Sequence, residues 1–185
     1  MIEEIFEDIK ARMEKTLSAL TRDFQKIRTG RATPAILDGL TANYYGTQTP
    51  LTQMASITAP EARLLVLQPW DSSAIGEIEK VILKSELGLT PQNDGKVIRI
   101  NIPALSQERR KELTKLVKKN AEEAKVAIRG IRREANDMLK DLKKSKEIAE
   151  DDQTKAEAQV QKITQDFVGR ADTLAAAKEK EILEF

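Results

Sequence analysis

The sequence predicts an α+β protein, a long three-helix bundle into which a small β/α/β domain is inserted. Three observations carry that expectation. All six prolines and six of the eight glycines fall between residues 30 and 103, and proline breaks helix interiors. The two flanks carry apolar residues at steps of three and four, the period of a single helix face. The middle has short β-branched and apolar runs bounded by turn signals, the pattern of strands.

The first helix is expected from about residue 2 to 28, with Ile2, Ile5, Phe6, Ile9, Met13, Leu17, Leu20, Phe24 and Ile27 on one stripe. In the middle, Ile36 to Tyr45, Ala55 to Ala59, Arg63 to Gln68 and Lys96 to Ile102 read as strands. Tyr45-Gly46, Ala59-Pro60 and Asn93-Asp94-Gly95 mark turns. A helix from about Ser72 to Leu87 interrupts them, with Ile75, Ile78, Ile82 and Leu83 inward. Tyr44, Tyr45 and Trp70 are expected to pack in the core or in turns.

A long helix follows from Ser106 to Lys146, with Leu113, Val117, Ala124, Ile128, Ile131, Ala135 and Leu142 as its apolar stripe. The last helix starts near Asp151 and carries Ala156, Val160, Ile163, Phe167, Ala171 and Leu174. Glu150, Asp151 and Asp152 lie at its start, where the helix dipole favours acids. Three helices with one apolar stripe each bury them most economically as a bundle. The expected domains are thus residues 1–29 with 106–185, and an insert at 31–104. Two crossings join them, Thr29, Gly30, Arg31, Ala32 and Thr33 on one side and Pro103, Ala104 and Leu105 on the other. Glycine in the first crossing allows a hinge.

The formal net charge of +1 hides a local sorting. Residues 106–146 carry fourteen bases against seven acids, whereas residues 147–185 carry ten acids against five bases. There is no cysteine and no histidine, so the chain lacks thiolate zinc ligands and the commonest general base. No phosphate loop, GxGxxG or nucleophile elbow occurs. No metal, no cofactor and no catalysis are expected. The N-terminus is acidic and amphipathic, and no apolar run reaches the roughly 18 residues that span a bilayer. A soluble, cytoplasmic protein with no membrane partner is expected.

Within the long helix, Lys111, Lys118, Lys125 and Arg132 recur every seven residues, with Lys115 and Arg129 beside them. Seven residues is close to two turns, so these groups form a basic stripe, placed on the far side from the apolar one. Arg129, Arg132 and Arg133 cluster, and guanidinium matches phosphate bidentately. Arg109, Arg110 and Lys111 open the helix against its dipole. A solvated helix face is the plain alternative. The two-to-one excess of bases and the arginine cluster favour a nucleic-acid backbone read by charge and shape. Gly130 interrupts the same helix, either for close approach of a partner or as a tolerated defect. A scaffold of pairing helices is the rival from another class.

Several segments resemble one family throughout the chain, in order and in spacing. They are Thr29-Gly30-Arg31-Ala32-Thr33-Pro34, Asp38-Gly39, Tyr44-Tyr45-Gly46, Leu87-Gly88-Leu89-Thr90-Pro91, Glu108-Arg109-Arg110-Lys111, Ile128 to Asp137, and Lys146-Glu147-Ile148. The chain resembles ribosome recycling factor. The resemblance implies a three-helix bundle with an inserted β/α/β domain, an L shape like transfer RNA. It implies a monomeric translation factor that binds the large ribosomal subunit and its RNA across the A and P sites. With elongation factor G and GTP it would disassemble the post-termination complex, the GTPase being the partner. It assigns RNA contact to Arg129, Arg132 and Arg133, Arg132 above all; the basic stripe and helix start add Lys125, Lys118, Lys111, Arg110 and Arg109 as candidates. For Arg28 and Arg31, at the domain junction, it implies either RNA contact or a role in holding the elbow. Two departures stand out: Gly130 replaces a larger polar residue, and Lys125 stands where arginine is usual.

Overall fold

The computed structural model describes residues 1–184, so residue 185 of the expected bundle lies outside the described residues. In chain order the elements are α1 (Ile2–Lys26), β1 (Thr41–Tyr44), β2 (Thr47–Pro50), the single turn α2 (Leu51–Met54), β3 (Ala55–Glu61) and β4 (Leu64–Pro69). Then come α3 (Ile75–Lys84), β5 (Pro91–Asn93), β6 (Ile98–Asn101), α4 (Gln107–Lys144) and α5 (Glu150–Glu184). Two compact units result: Met1–Arg28 with Gln107–Glu184, and Thr29–Ser106. The architecture is α+β, as the sequence predicts.

The first unit is a three-helix bundle. From α1 it buries Phe6, Ile9, Met13, Leu17, Leu20 and Phe24. From α4 come Leu113, Val117, Ala121, Ala124, Ile128, Ile131, Ala135 and Leu139. Leu142, expected on this stripe, is only half-buried. From α5 come Ala156, Val160, Ile163, Phe167, Ala171 and Ile182, with Thr164. Alanines on both α4 and α5 allow the two helices a close approach, and this is the bundle's most extensive contact. Buried Thr164 is satisfied, its hydroxyl donating to the Val160 carbonyl at 2.8 Å.

Polar ties cross between the helices. Arg12 of α1 pairs with Glu134 of α4. Arg170 of α5 grips Glu14 of α1 through two bonds of 2.9 Å, which holds the Glu14 carboxyl below its ordinary pKa. The turn after α4 puts Lys146 at φ +62. There the N–H of Lys146 reaches the Lys143 carbonyl and that of Glu147 reaches Leu142, a Schellman closure of the helix. Glu150, Asp151 and Asp152 then occupy the first turn of α5, where acids complement the dipole.

The second unit holds a β1-β2 hairpin and a four-stranded sheet of order β3-β4-β6-β5, all neighbours antiparallel. Alternation places Leu65 and Leu67 of β4 and Ile98 and Ile100 of β6 in the core, with Ile78 and Ile82 of α3. In the hairpin, Tyr45 and Gly46 both take positive φ, as a two-residue primed turn requires.

Several expectations are corrected. The run from Ile36 to Tyr45 is not one strand. Pro34 opens a 3-10 turn over Pro34–Leu37 and Gly39 takes φ +83, so extension begins only at Thr41. The polar strand β2 and the three-residue edge strand β5, which starts on Pro91, carry too little periodicity to be read. Leu83 is 56% exposed rather than inward. It follows Ile82 by about 100° around the helix, off the face that Ile75, Ile78 and Ile82 share.

Of the three aromatics, only Tyr44 packs on the core. Tyr45 is 82% exposed and touches Tyr44 edge-on at 4.5 Å between ring centroids. Trp70, just past the end of β4, is 70% exposed.

Asp71 ties this corner together. One carboxylate oxygen accepts from the Ser73 hydroxyl at 2.7 Å and the Ser73 N–H at 2.9 Å. The other accepts from the Tyr45 and Tyr44 hydroxyls at 3.0 and 3.1 Å. Ser73 first, then the tyrosines, lower the Asp71 pKa from 3.8 to about 2. A folded-state pKa below the unfolded value stabilises above the unfolded value and is lost as pH falls through the folded one. The corner should therefore loosen between about pH 4 and pH 2. Trp70, the one tryptophan, reports it by fluorescence. Asp71→Asn should remove that acid transition, and an unchanged titration in the variant would contradict the assignment.

Candidate nucleic-acid interface

Of the predicted basic stripe and arginine cluster of α4, only Lys125, Arg129 and Arg132 are half-buried beside the apolar stripe; Lys111, Lys115, Lys118 and Arg133 are exposed away from it, as expected. At about 100° per residue, a strict seven-residue repeat drifts by about 20° each time. Moving along α4, the row from Lys111 to Arg132 therefore leans toward the α4–α5 seam. Lys111, Lys115 and Lys118 are exposed and make no ion pair among the described residues. Lys125 is only 18% exposed at its side chain and lies between carboxylates, 2.9 Å from Asp172 of α5 and 3.1 Å from Glu122. Those partners, Asp172 first, raise the Lys125 pKa.

Arg129 and Arg132 differ in a way that matters electrostatically. Arg129 donates to Glu122 at 3.2 Å, and Lys125 followed by Arg129 holds the Glu122 carboxyl below its ordinary pKa. Glu122, Asp172, Lys125 and Arg129 thus form a locally neutral cluster. Arg132, expected to face away from the apolar stripe, is instead half-buried at the seam. Its Nη1 donates to the Gln161 amide oxygen of α5 at 3.1 Å. A neutral acceptor fixes the guanidinium while leaving its charge uncancelled. Arg133 is exposed and makes no ion pair among the described residues.

At the start of α4, Arg109 donates to Glu112 at 2.8 Å. Arg110 donates to the Leu183 carbonyl at 3.1 Å. That carbonyl belongs to the C-terminal end of α5, whose negative pole attracts a cation. The antiparallel neighbour therefore offsets the positive charge that the dipole of α4 itself disfavours. A Cβ on Gly130 would meet nothing within 4 Å, so no packing inside the chain demands glycine there.

Among the predicted junction residues, Arg28 and Arg31 are exposed while Thr29 and Gly30 are buried. Gly30 takes φ +81, a conformation that suits glycine. The Ala32 N–H donates to the Ala62 carbonyl at 2.7 Å, and the Ile102 N–H to Arg63 at 2.8 Å. Pro103 and Ala104 are exposed, and Thr33 and Leu105 are half-buried.

The α5 side of the seam was not legible in the sequence. A cleft of about 340 Å³ there is lined by Arg129 and Arg132 and, from α5, by Gln161, Thr164, Gln165, Val168, Gly169 and Asp172. The available signal was a mid-helix glycine following two glutamines at helical spacing. No cluster of acidic residues able to hold a metal, and no helix long and apolar enough to cross a membrane, occurs among the described residues.

A family model described as ribosome recycling factor matches residues 3–183. The chain belongs to the ribosome recycling factor family. The ribosome-recycling factor of Syntrophobacter fumaroxidans is 59% identical over 184 residues, with 100% of each chain covered. That of Bacillus subtilis is 54% identical over 184 residues at the same coverage. A solution structure of ribosome recycling factor aligns with a TM-score of 0.74 at 38% identity, covering 100% of this chain and 98% of that one. A second solved structure models the T. thermophilus ribosome recycling factor and the E. coli elongation factor G bound to the E. coli post-termination complex. It aligns with a TM-score of 0.64 at 49% identity, covering 99% of each chain. The family expected from the sequence motifs is therefore the family found, and the long helices with a small β-rich unit are its fold.

Proposed function

We propose that this chain works in ribosome recycling. The basic edge of α4 binds ribosomal RNA of the large subunit across the A and P sites, with Arg132 as the principal contact. Lys118 and Lys111 lie in the same row and add exposed charge, and Arg133, about 100° farther round the helix, adds charge on its outer side. Lys125 and Arg129 contribute less, because carboxylates already neutralise them. Arg109 and Arg110 add charge at the start of α4, and Arg28 and Arg31 add contacts beside the first crossing. The crossings at Thr29–Thr33 and Pro103–Leu105 act as a hinge. Elongation factor G drives the motion with GTP, whose hydrolysis belongs to that partner. This chain is non-catalytic, needs no cofactor and acts in the cytoplasm as a monomer.

The observation that supports this reading best is Arg132, charged yet oriented by a neutral amide, in a chain whose residues 3–183 match the family. The test is a subunit-dissociation assay on post-termination ribosomes. Light scattering should fall when the chain, elongation factor G and GTP are all present, and should stay level when any one is omitted. Complexes that remain intact with all three would refute the proposal.

A further inference from the structure

We propose that the α4–α5 cleft seats one unpaired nucleotide of the RNA that Arg132 contacts, so that α5 forms half of the interface. This rests on the RNA reading of Arg132 given above. It adds a ligand, a pocket and a second helix to that reading.

Three features of the cleft lead there. Its volume of about 340 Å³ lies at the lower end of pockets that enclose small ligands, which suits a single nucleotide. Its walls differ in character. Arg132 supplies a cation whose direction is set by Gln161 at 3.1 Å, and the remaining N–H groups of the fork match a phosphate. Gln161 and Gln165 stand four residues apart, and so on one face of α5. The Gln165 amide is exposed and makes no hydrogen bond among the described residues. A primary amide offers both donor and acceptor to a base edge, the way proteins read unpaired RNA bases. No aromatic lines the cleft, so recognition is by edges and charge rather than by stacking.

The third feature is Gly169, one turn beyond Gln165. Glycine is disfavoured in helix interiors relative to alanine, and α5 runs unbroken through this position. A Cβ built on Gly169 meets nothing within 4 Å, so neither packing nor backbone conformation inside the chain demands glycine. Gly169 is exposed where it lines the cleft, and the missing side chain leaves room there. That room is available to an occupant that approaches the helix backbone.

This predicts effects of opposite sign on stability and on binding. Gly169→Ala should raise the melting midpoint yet weaken binding to purified bacterial large ribosomal subunits. Gly169→Leu should weaken it roughly tenfold, the loss of one well-made contact. Gln165→Ala removes an exposed side chain without touching the core, so it tests the cleft independently of any folding effect. It should lower affinity severalfold while leaving the slope of log K against log salt unchanged, because no charge changes. Chemical probing of the ribosomal RNA should show an unpaired nucleotide protected by the parent and not by Gly169→Leu.

If Arg132→Ala weakens binding while Gly169→Leu and Gln165→Ala bind like the parent, the cleft is empty in the complex and the proposal is wrong. If Arg132→Ala also binds like the parent, the RNA reading of the α4 edge falls with it.

Discussion

Replacing Arg132 by alanine should weaken binding to bacterial large ribosomal subunits roughly 10- to 150-fold. A charge-assisted hydrogen bond to phosphate is worth about 1.5–3 kcal/mol, and each 1.4 kcal/mol is about tenfold. The fold should survive. The one hydrogen bond this side chain makes among the described residues goes to a neutral partner, Gln161, which is exposed and can turn to water. A melting midpoint within a few degrees of the parent is therefore expected. Lys125→Ala should behave in the reverse way. Its ammonium lies between Glu122 and Asp172, so removing it takes from Asp172 its cation, leaves Glu122 with Arg129 alone, and takes little usable charge from the surface. Equilibrium binding and thermal melting of the two variants side by side check both effects. An Arg132→Ala protein that binds like the parent would remove the basis of the interface.

Ile128→Ala should lower bundle stability by about 2–5 kcal/mol, the usual range for truncating a large buried aliphatic. Ile128 is fully buried, near the middle of α4. Domains typically hold only about 5–15 kcal/mol in all. The midpoint of helix melting, followed by circular dichroism, should fall by roughly 10 °C or more. A shift of only a degree or two would mean that α4 is not packed as described.

The bundle was legible because its signal is redundant. Nine apolar positions at steps of three and four fix the first helix, and the structure buries seven of them outright. The inserted unit was less legible, since its strands span three to seven residues. There one proline or glycine decides between strand and turn, as Pro34 and Gly39 do before β1.

The candidate interface was half legible. A seven-residue repeat reveals that basic groups share a side of α4. It does not reveal which neighbour that side leans on, because the drift of the repeat is small and the position of α5 is a tertiary fact. So Arg132 was expected to face away from the apolar stripe, and the neutralisation of Lys125 by Asp172, 47 residues away in sequence, could not be read. Gln161, Gln165 and Gly169 went unnoticed for the same reason, because each becomes informative only once α5 lies beside Arg132.

The central claim is that the Arg132 side of α4 lies against ribosomal RNA. The chain has no cysteine, so a single introduced one can carry an iron–EDTA chelate that cuts nearby RNA. Val126 of α4 is 53% exposed and lies one turn from Arg129 on the same face. Ala11 is exposed on α1, beside the groove between α1 and α5. With the labelled variants bound to large subunits, Val126→Cys should cut ribosomal RNA strongly at a few discrete positions, and Ala11→Cys weakly. Stronger cutting from Ala11→Cys, or none from Val126→Cys while binding is intact, would show that a different face meets the RNA.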